Sequence, residues 1–372
     1  MEPFDKPIMV TRPLFPDLER YHAQLEDVWE SQWLSNNGPK HKELEAKLKE
    51  YIKAKNISLF NNGTIALMVA VQSLRLQGEV ITTPFTFPAT THVLAWNNIT
   101  PVFCDIHPER LTIDPDKIES LITAKTTAIL ATHVYGIPCH VEEIQEIANR
   151  HGLKVIYDAA HAFTTEYKGK PIAEYGDISM FSFHPTKLFH TGEGGALVYN
   201  DPNLKERIEY LKNFGIKNEE EVLLPGINGK MGELQASMGL EVLPLVKKEK
   251  EARKKIREIY TEEFLACEGL TTVISPEGAT QSEQYFCLRI DDEKFGVGRD
   301  EVYIKLRENN VYSRKYFYPL TSEYPCYKRF ADSGDLIEAT RASSQVLCLP
   351  LYAGIKPDTA KKIARLVIDA GK

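Results

Sequence analysis

The chain opens with two stretches in which apolar side chains return every three to four residues. Leu18, Tyr21, Leu25, Val28 and Gln32 follow this spacing, and so do Leu44, Leu48 and Tyr51, which predicts two amphipathic helices. Between them, Leu34-Ser-Asn-Asn-Gly-Pro39 reads as a loop. From about residue 57 to 200 the pattern changes, and short apolar runs alternate with helical spacing. Strands are expected at Ile57–Phe60, Glu79–Thr83, Pro101–Ile106, Ala128–Val134, Lys154–Tyr157, Ile178–Phe183 and Ala196–Tyr199. Helices are expected at Thr64–Gln77, Pro115–Ile122 and Val141–Arg150. Continuous apolar strands separated by helices predict an α/β fold, a mostly parallel sheet of seven strands covered on both faces. Ligands of such sheets gather at the carboxyl ends of the strands, so the residues just after each strand are the ones to read for chemistry.

Farther along, Leu204–Phe214 reads as a helix, followed by a loop and a long helical pattern from Gly232 to about Ala266 in which Pro244 marks a kink or a helix junction. The last hundred or so residues change order again, with strands at Thr271–Ile274, Tyr285–Ile290 and Gln345–Leu349 and helices at Val302–Glu308 and Asp358–Ala370. The expected division is a large domain over 1–240, including the N-terminal helices, and a small α+β domain over 241–372. With 372 residues, 43% apolar and 26% charged, the chain is long enough for a large core. A net charge of −7 implies no basic face and no nucleic-acid partner. The run Lys247–Lys255 is expected to be the solvated face of a helix. Six cysteines are scattered without a CxxC pair, and Cys139-His140 has no second pair at metal-ligand spacing, so neither disulfides nor a metal is expected. The start lacks a signal-peptide pattern and no apolar stretch approaches the ~20 residues of a membrane span. A cytoplasmic protein without membrane contact is the expectation.

Four strand ends carry candidate chemistry. Lys187 lies a few residues past Ile178–Phe183, ahead of the glycine-rich turn Gly192-Glu-Gly-Gly195. A lysine in a partly dry site loses its proton and attacks carbonyls, although a lone lysine beside such a turn is more often a surface residue. Asp158 ends an apolar strand, where a buried carboxylate is costly without a cationic partner such as a pyridinium nitrogen; a helix N-cap is the bland alternative. Phe60-Asn-Asn-Gly63-Thr64 runs from a strand into a helix, where free amides and a hydroxyl suit a phosphate. The competing hairpin reading of Asn-Gly is disfavoured by the helical spacing that follows. Phe87, in Thr83-Pro-Phe-Thr-Phe87-Pro, is placed to stack on a flat ring, although aromatics are more often core. Each signal is weak alone. Together, in this order and at strand ends, they meet the needs of pyridoxal phosphate.

At this point the chain resembles, nearly end to end, the DegT/StrS-type family of nucleotide-sugar aminotransferases, which have the type I (aspartate aminotransferase) fold. The likeness is carried by Asp158-Ala-Ala-His161, by Ser182-Phe-His-Pro-Thr-Lys187 with its glycine turn, and by Gly226-Ile-Asn-Gly-Lys-Met231 followed by Glu233-Leu-Gln-Ala236. The resemblance implies pyridoxal 5'-phosphate bound to Lys187 as a Schiff base, Asp158 on the ring nitrogen, and His161 near the phenolic oxygen. It matches Phe87 to the stacking aromatic and Gly63, Thr64 and Ser182 to phosphate binders. Asn228 matches an asparagine that reaches the phosphate of the neighbouring subunit, which implies a homodimer with shared active sites. Lys230 stands where many members have arginine. Relatives with histidine at the Schiff-base position are dehydratases, and Lys187 argues against that chemistry.

The implied reaction is ping-pong, with L-glutamate as amino donor and a nucleotide-linked keto sugar as acceptor. Through Phe60-Asn-Asn-Gly-Thr and Gly226-Ile-Asn-Gly-Lys-Met the likeness is to enzymes aminating dTDP-4-keto-6-deoxyglucose at C4, which supply 4-amino-4,6-dideoxy sugars to O-antigen and other surface glycans. Amination at C3, or of a UDP-linked sugar, is the alternative within the family. Tyr312-Ser-Arg-Lys-Tyr-Phe-Tyr318-Pro matches a stretch near the substrate, with Arg314 or Lys315 expected at the diphosphate and Tyr318 at the sugar. A regulatory protein that senses the cofactor without turnover would show a basic stripe or DNA-binding appendage, and none is visible. A purely structural dimer is disfavoured by the retention of all four cofactor-facing residue types.

Overall fold

The computed structural model describes residues 2–330 and 335–372. All seven expected strands form, and they share one sheet. Their order is Asn56–Phe60, Gly195–Tyr199, Ile178–Ser182, Lys154–Asp158, Thr126–Thr132, Glu79–Thr82, Thr100–Phe103. Gly195–Tyr199 runs antiparallel to both its neighbours, and every other pairing in this sheet is parallel. Successive side chains point to opposite faces, so an apolar run feeds two cores at once. Ile57, Leu59, Ile81, Ile129, Val155 and Phe181 pack with the helices Pro39–Tyr51 and Val141–His151 on one side. Phe60, Val80, Leu130, Ile156, Met180 and Leu197 pack with Gly63–Ser73 on the other. Each fully buried aliphatic of this kind stabilises by about 1.5–3 kcal/mol.

One element escapes the apolar pattern. Pro88–Trp96 is a helix with Pro88 in its first turn, a position where proline's missing amide costs nothing. It follows the strand Glu79–Thr82 and carries Thr90 to the end of the Lys154–Asp158 strand, past the intervening Thr126–Thr132. The expected long helix forms in two parts, Glu233–Val242 and Val246–Phe264, joined by the 3₁₀ turn Leu243–Leu245 that contains Pro244.

Beyond it, Leu270–Thr272, Phe286–Ile290 and Val346–Leu349 make a three-stranded antiparallel sheet. Its core joins Ile256, Tyr260 and Phe264 to Phe286, Leu288, Leu347, Leu349, Ile363 and Val367. Val246 packs with the large sheet and Ile256 with the small one, so the two cores part within the Val246–Phe264 helix. The chain's first residues join the distal core: Phe4 and Ile8 pack there, and Ile8–Met9 pairs in parallel with Val311–Tyr312.

The charged run Lys247–Lys255 corrects its expectation. Glu249 and Arg253 turn inward and are buried, paired to each other at 2.7 Å. Glu249 also accepts from the Ala353 amide at 3.1 Å, and Arg253 donates to the Glu283 carbonyl at 3.4 Å. Helical spacing puts one side of any charged run against the protein, and here those charges meet partners (a buried charge without one is costly). Among the described residues, no helix is long and apolar enough to cross a membrane and no cluster of His, Cys, Asp and Glu is arranged to hold a metal.

Candidate active site

At the carboxyl edge of the large sheet lies a cavity of about 640 Å³. One wall comes from the ends of five of the strands and the residues just after them, as the strand-end rule requires, and the other from Tyr285, Arg314, Tyr316 and Phe317. Gly63, Thr64, Phe87, Asp158, His161, Ser182 and Lys187 all line it. Six of the seven reach it from the turn just past a strand or from a strand's last residue. Lys187 comes from the loop between Ile178–Ser182 and Gly195–Tyr199.

Asn62 caps the Gly63–Ser73 helix by accepting from the Ile65 amide at 2.8 Å, which settles this segment as a helix start rather than a hairpin. The first-turn amides of Gly63 and Thr64 then have no intrahelical acceptor, and both residues line the cavity, an arrangement suited to an anion. Side-chain bulk is excluded at Gly195 and crowded at Gly63, on the two sides of this cradle. A Cβ on Gly63 would come within 3.1 Å of the Ser182 Cβ, and one on Gly195 within 2.8 Å of the Gly63 backbone. The glycine turn thus exists so that two backbones can close around the cradle.

Asp158, the last residue of its strand, is buried. It accepts from Thr90 Oγ1 at 2.7 Å and from the Ala160 amide at 3.0 Å. Thr90 is itself bonded to Thr86 (2.8 Å), and Thr86 to Thr132 (2.9 Å), so three hydroxyls back the carboxylate. Burial pushes the Asp158 pKa up, and the two hydrogen bonds and the Lys187 charge oppose the rise. Lys187 shows the reverse: burial pushes its amine down to about 8, with Asp158 opposing. His161 is driven well below the ordinary imidazole value, first by burial and then by Lys187. Its Nδ1 accepts from the Tyr135 amide at 3.2 Å, so the neutral ring carries its proton on Nε2. The His161 ring lies parallel to Phe317, 6.0 Å between centroids, and edge-on to Tyr285 at 4.9 Å.

The remaining expected residues divide. Arg314 lines the cavity. Lys315 does not, because its amine pairs with Asp300 at 2.6 Å. Tyr318 also stays outside, 54% exposed beneath the Arg299 guanidinium at 4.9 Å. Both are held toward the Arg299–Glu308 helix rather than the cavity. Asn228 is exposed and does not line its own chain's cavity; its Oδ1 accepts from Lys230 at 2.9 Å. Sequence reading missed Thr90, Tyr285, Tyr316 and Phe317. Pro88 at a helix start was a legible signal for Thr90, and Tyr316 and Phe317 lie in the Tyr312–Tyr318 stretch that the resemblance put near the substrate, whereas nothing local marks Tyr285.

The buried carboxylate, the half-exposed Phe87 and the amide cradle fit one flat, cationic, phosphorylated ring. Phe87 is 54% exposed on the cavity wall, apolar area that such a ring would cover. A model of the DegT/DnrJ/EryC1/StrS aminotransferase family matches residues 17–368. A dTDP-4-amino-4,6-dideoxy-D-glucose transaminase of Escherichia coli is 45% identical over 369 residues, 98% of this chain and 99% of that relative. A GDP-perosamine synthase of Vibrio cholerae is 31% identical, over 97% of this chain and 98% of its own length. The crystal structure of DesI in the presence of its TDP-sugar product superposes with a TM-score of 0.95 at 33% identity, covering all of this chain and 94% of that one.

Proposed function

Since the chain belongs to the DegT/DnrJ/EryC1/StrS aminotransferase family, we propose that it transfers an amino group from L-glutamate to C4 of dTDP-4-keto-6-deoxy-D-glucose. The product is dTDP-4-amino-4,6-dideoxy-D-glucose, destined for O-antigen or another surface glycan. The observation that carries this reading is one cavity into which both Lys187 and Asp158 open. The Escherichia coli relative, similar along its whole length, supports the sugar.

The chain is a pyridoxal-phosphate-dependent sugar aminotransferase. When bound, the cofactor supplies an electron sink for the charge left as the donor's α-carbon loses its proton. Asp158 would face the ring nitrogen, Phe87 the ring, and Gly63, Thr64 and Ser182 the phosphate. Lys187 anchors the group and, once freed, takes the proton from the α-carbon of L-glutamate; in the second half-reaction it returns a proton to C4 of the sugar. An amine with a pKa near 8 serves both roles near neutral pH. His161 offers Nε2–H to an oxygen beside the ring. Arg314 is the cation placed to meet the sugar nucleotide's diphosphate.

We place Asn228 at the partner's cavity in a homodimer. Leu18, Trp29 and Leu34, three large apolar side chains left exposed on the N-terminal segment, support a partner copy.

The test is a panel of keto-sugar nucleotides with L-glutamate, the products identified by NMR. Amine appearing at C4 of the dTDP sugar is the expected result. Amine at C3, or a preference for a UDP sugar, overturns the substrate. A yellow protein that glutamate does not bleach overturns turnover itself. Lys187→Ala should slow the glutamate half-reaction by about 10⁴-fold.

A further inference from the structure

Lys187 sits in a loop, yet its backbone is held by a side chain 96 residues away from Leu188 in sequence. Gln284 is 2% exposed. Its Oε1 accepts from the Leu188 amide at 2.8 Å and its Nε2 donates to the Thr186 carbonyl at 2.9 Å. One amide group therefore grips the residue before the lysine and the residue after it. The same short segment reaches the rest of the site. The Tyr285 ring lies 6.0 Å from the Lys187 amine and packs edge-on against His161. Ser282 Oγ donates to the Tyr135 carbonyl at 2.8 Å, and the Tyr135 amide holds His161 Nδ1.

The segment is itself anchored. Glu283 has φ +58, in the left-handed region that a residue with a Cβ enters at a cost of about 1–2 kcal/mol. Both its carboxylate oxygens accept from Arg257 Nε at 3.0 Å, and its carbonyl accepts from Arg253 at 3.4 Å. This left-handed turn separates Ser282 and Gln284, so that one serves the His161 side and the other the Lys187 side.

We propose that Gln284 is a positioning residue for Lys187: its amide clamp on Thr186 and Leu188 holds the lysine amine where the proton is moved. The inference rests on the proton-carrying role of Lys187 given above.

Gln284→Leu keeps a similar volume and removes both bonds. The glutamate half-reaction should slow by about 10- to 100-fold, the usual penalty of a displacement near 1 Å. In the Lys187→Ala background, with methylamine added as the proton carrier, the same substitution should change the rescued rate by less than about 2-fold, because there is no tethered amine left to misplace. In cofactor-free protein, competitive acetylation read by mass spectrometry should titrate Lys187 with a midpoint near 8, rising toward the ordinary lysine range in Gln284→Leu as the amine gains access to water. If Gln284→Leu does not fold, Gln284→Glu keeps the acceptor for Leu188, loses the donor to Thr186, and goes through the same measurements. A rescued rate that falls in step with the lysine-dependent rate would make Gln284 a general structural residue. An unchanged lysine-dependent rate would remove it from positioning altogether. Full turnover by Lys187→Ala without added amine would sink the role of Lys187, and this inference with it.

Discussion

The two walls of the cavity are built in opposite ways. On one side stand Gly63, Thr64, Phe87, Asp158, His161 and Ser182, each within a few residues of a strand end. The parallel sheet fixes them in common register, as where Thr132 pairs with Asp158 and Asp158 with Met180. On the other side stand Tyr285, Arg314, Tyr316 and Phe317, brought in from the C-terminal part of the chain, with Arg314 held by a backbone bridge to Cys348. Ahead of Tyr285, a left-handed turn at Glu283, its ion pair with Arg257 and the Gln284 clamp stand in for a regular ladder. The sheet wall presents charge where the cofactor's charge will be, at the cost of burying it. The far wall presents aromatic bulk, with Arg314 as the one charged side chain of these four. Damage to the first should therefore cost chemistry, and damage to the Arg257–Glu283 pair behind the second should cost stability, with Gln284 the one support there whose loss costs rate.

Removal of Asp158 gives the sharpest contrast. Asp158→Ala should slow the glutamate half-reaction by about 10²- to 10³-fold, in the range seen when one preorganised electrostatic group is deleted. The melting temperature of cofactor-free protein should fall by less than about 2 °C, because the buried carboxylate is already held at a raised pKa and its loss relieves desolvation. Stopped-flow absorbance and calorimetry on the same preparation read both quantities; a large loss of stability with little loss of rate would reverse the assignment of this wall. Behind the opposite wall, Arg257→Ala leaves the Glu283 carboxylate buried without its partner. Denaturant unfolding should show a loss of about 3 kcal/mol. A loss below about 1 kcal/mol would mean the pair behaves like an exposed surface bridge and anchors nothing. The smallest effect is expected from Thr90→Val, which deletes one of the two hydrogen bonds on Asp158. One charge-assisted bond converts to a rate loss of about 10-fold. Steady-state kinetics showing no change would confine Thr90 to packing.

The same division explains which parts of the site were legible in the sequence alone. Lys187, Asp158 and the Gly63–Thr64 cradle were legible because strand, turn and chemistry lie within one short window. The exposed-face reading of Lys247–Lys255 failed because helical spacing tells that one face is inward without telling what it meets; here Glu249 and Arg253 meet each other, Ala353 and Glu283. Lys315 and Tyr318 were close to Arg314 in the sequence and still turned away, since Asp300 and Arg299 on a neighbouring helix took them. Gln284 carries no motif at all. Its importance lies in two hydrogen bonds to residues almost a hundred positions earlier.

Apolar periodicity along the chain was enough to determine the seven strands of the sheet, the helices covering it other than Pro88–Trp96, and the strand ends at which a charged cofactor would be held. Those features follow from local rules: alternation across a pleat, glycine where backbones meet, a cap where a helix begins. Only the folded chain decided which distant side chains close the cavity, which charges go inward and what holds the lysine still. Contacts of that kind depend on which surfaces come together when the cores pack, and no short window of residues encodes them.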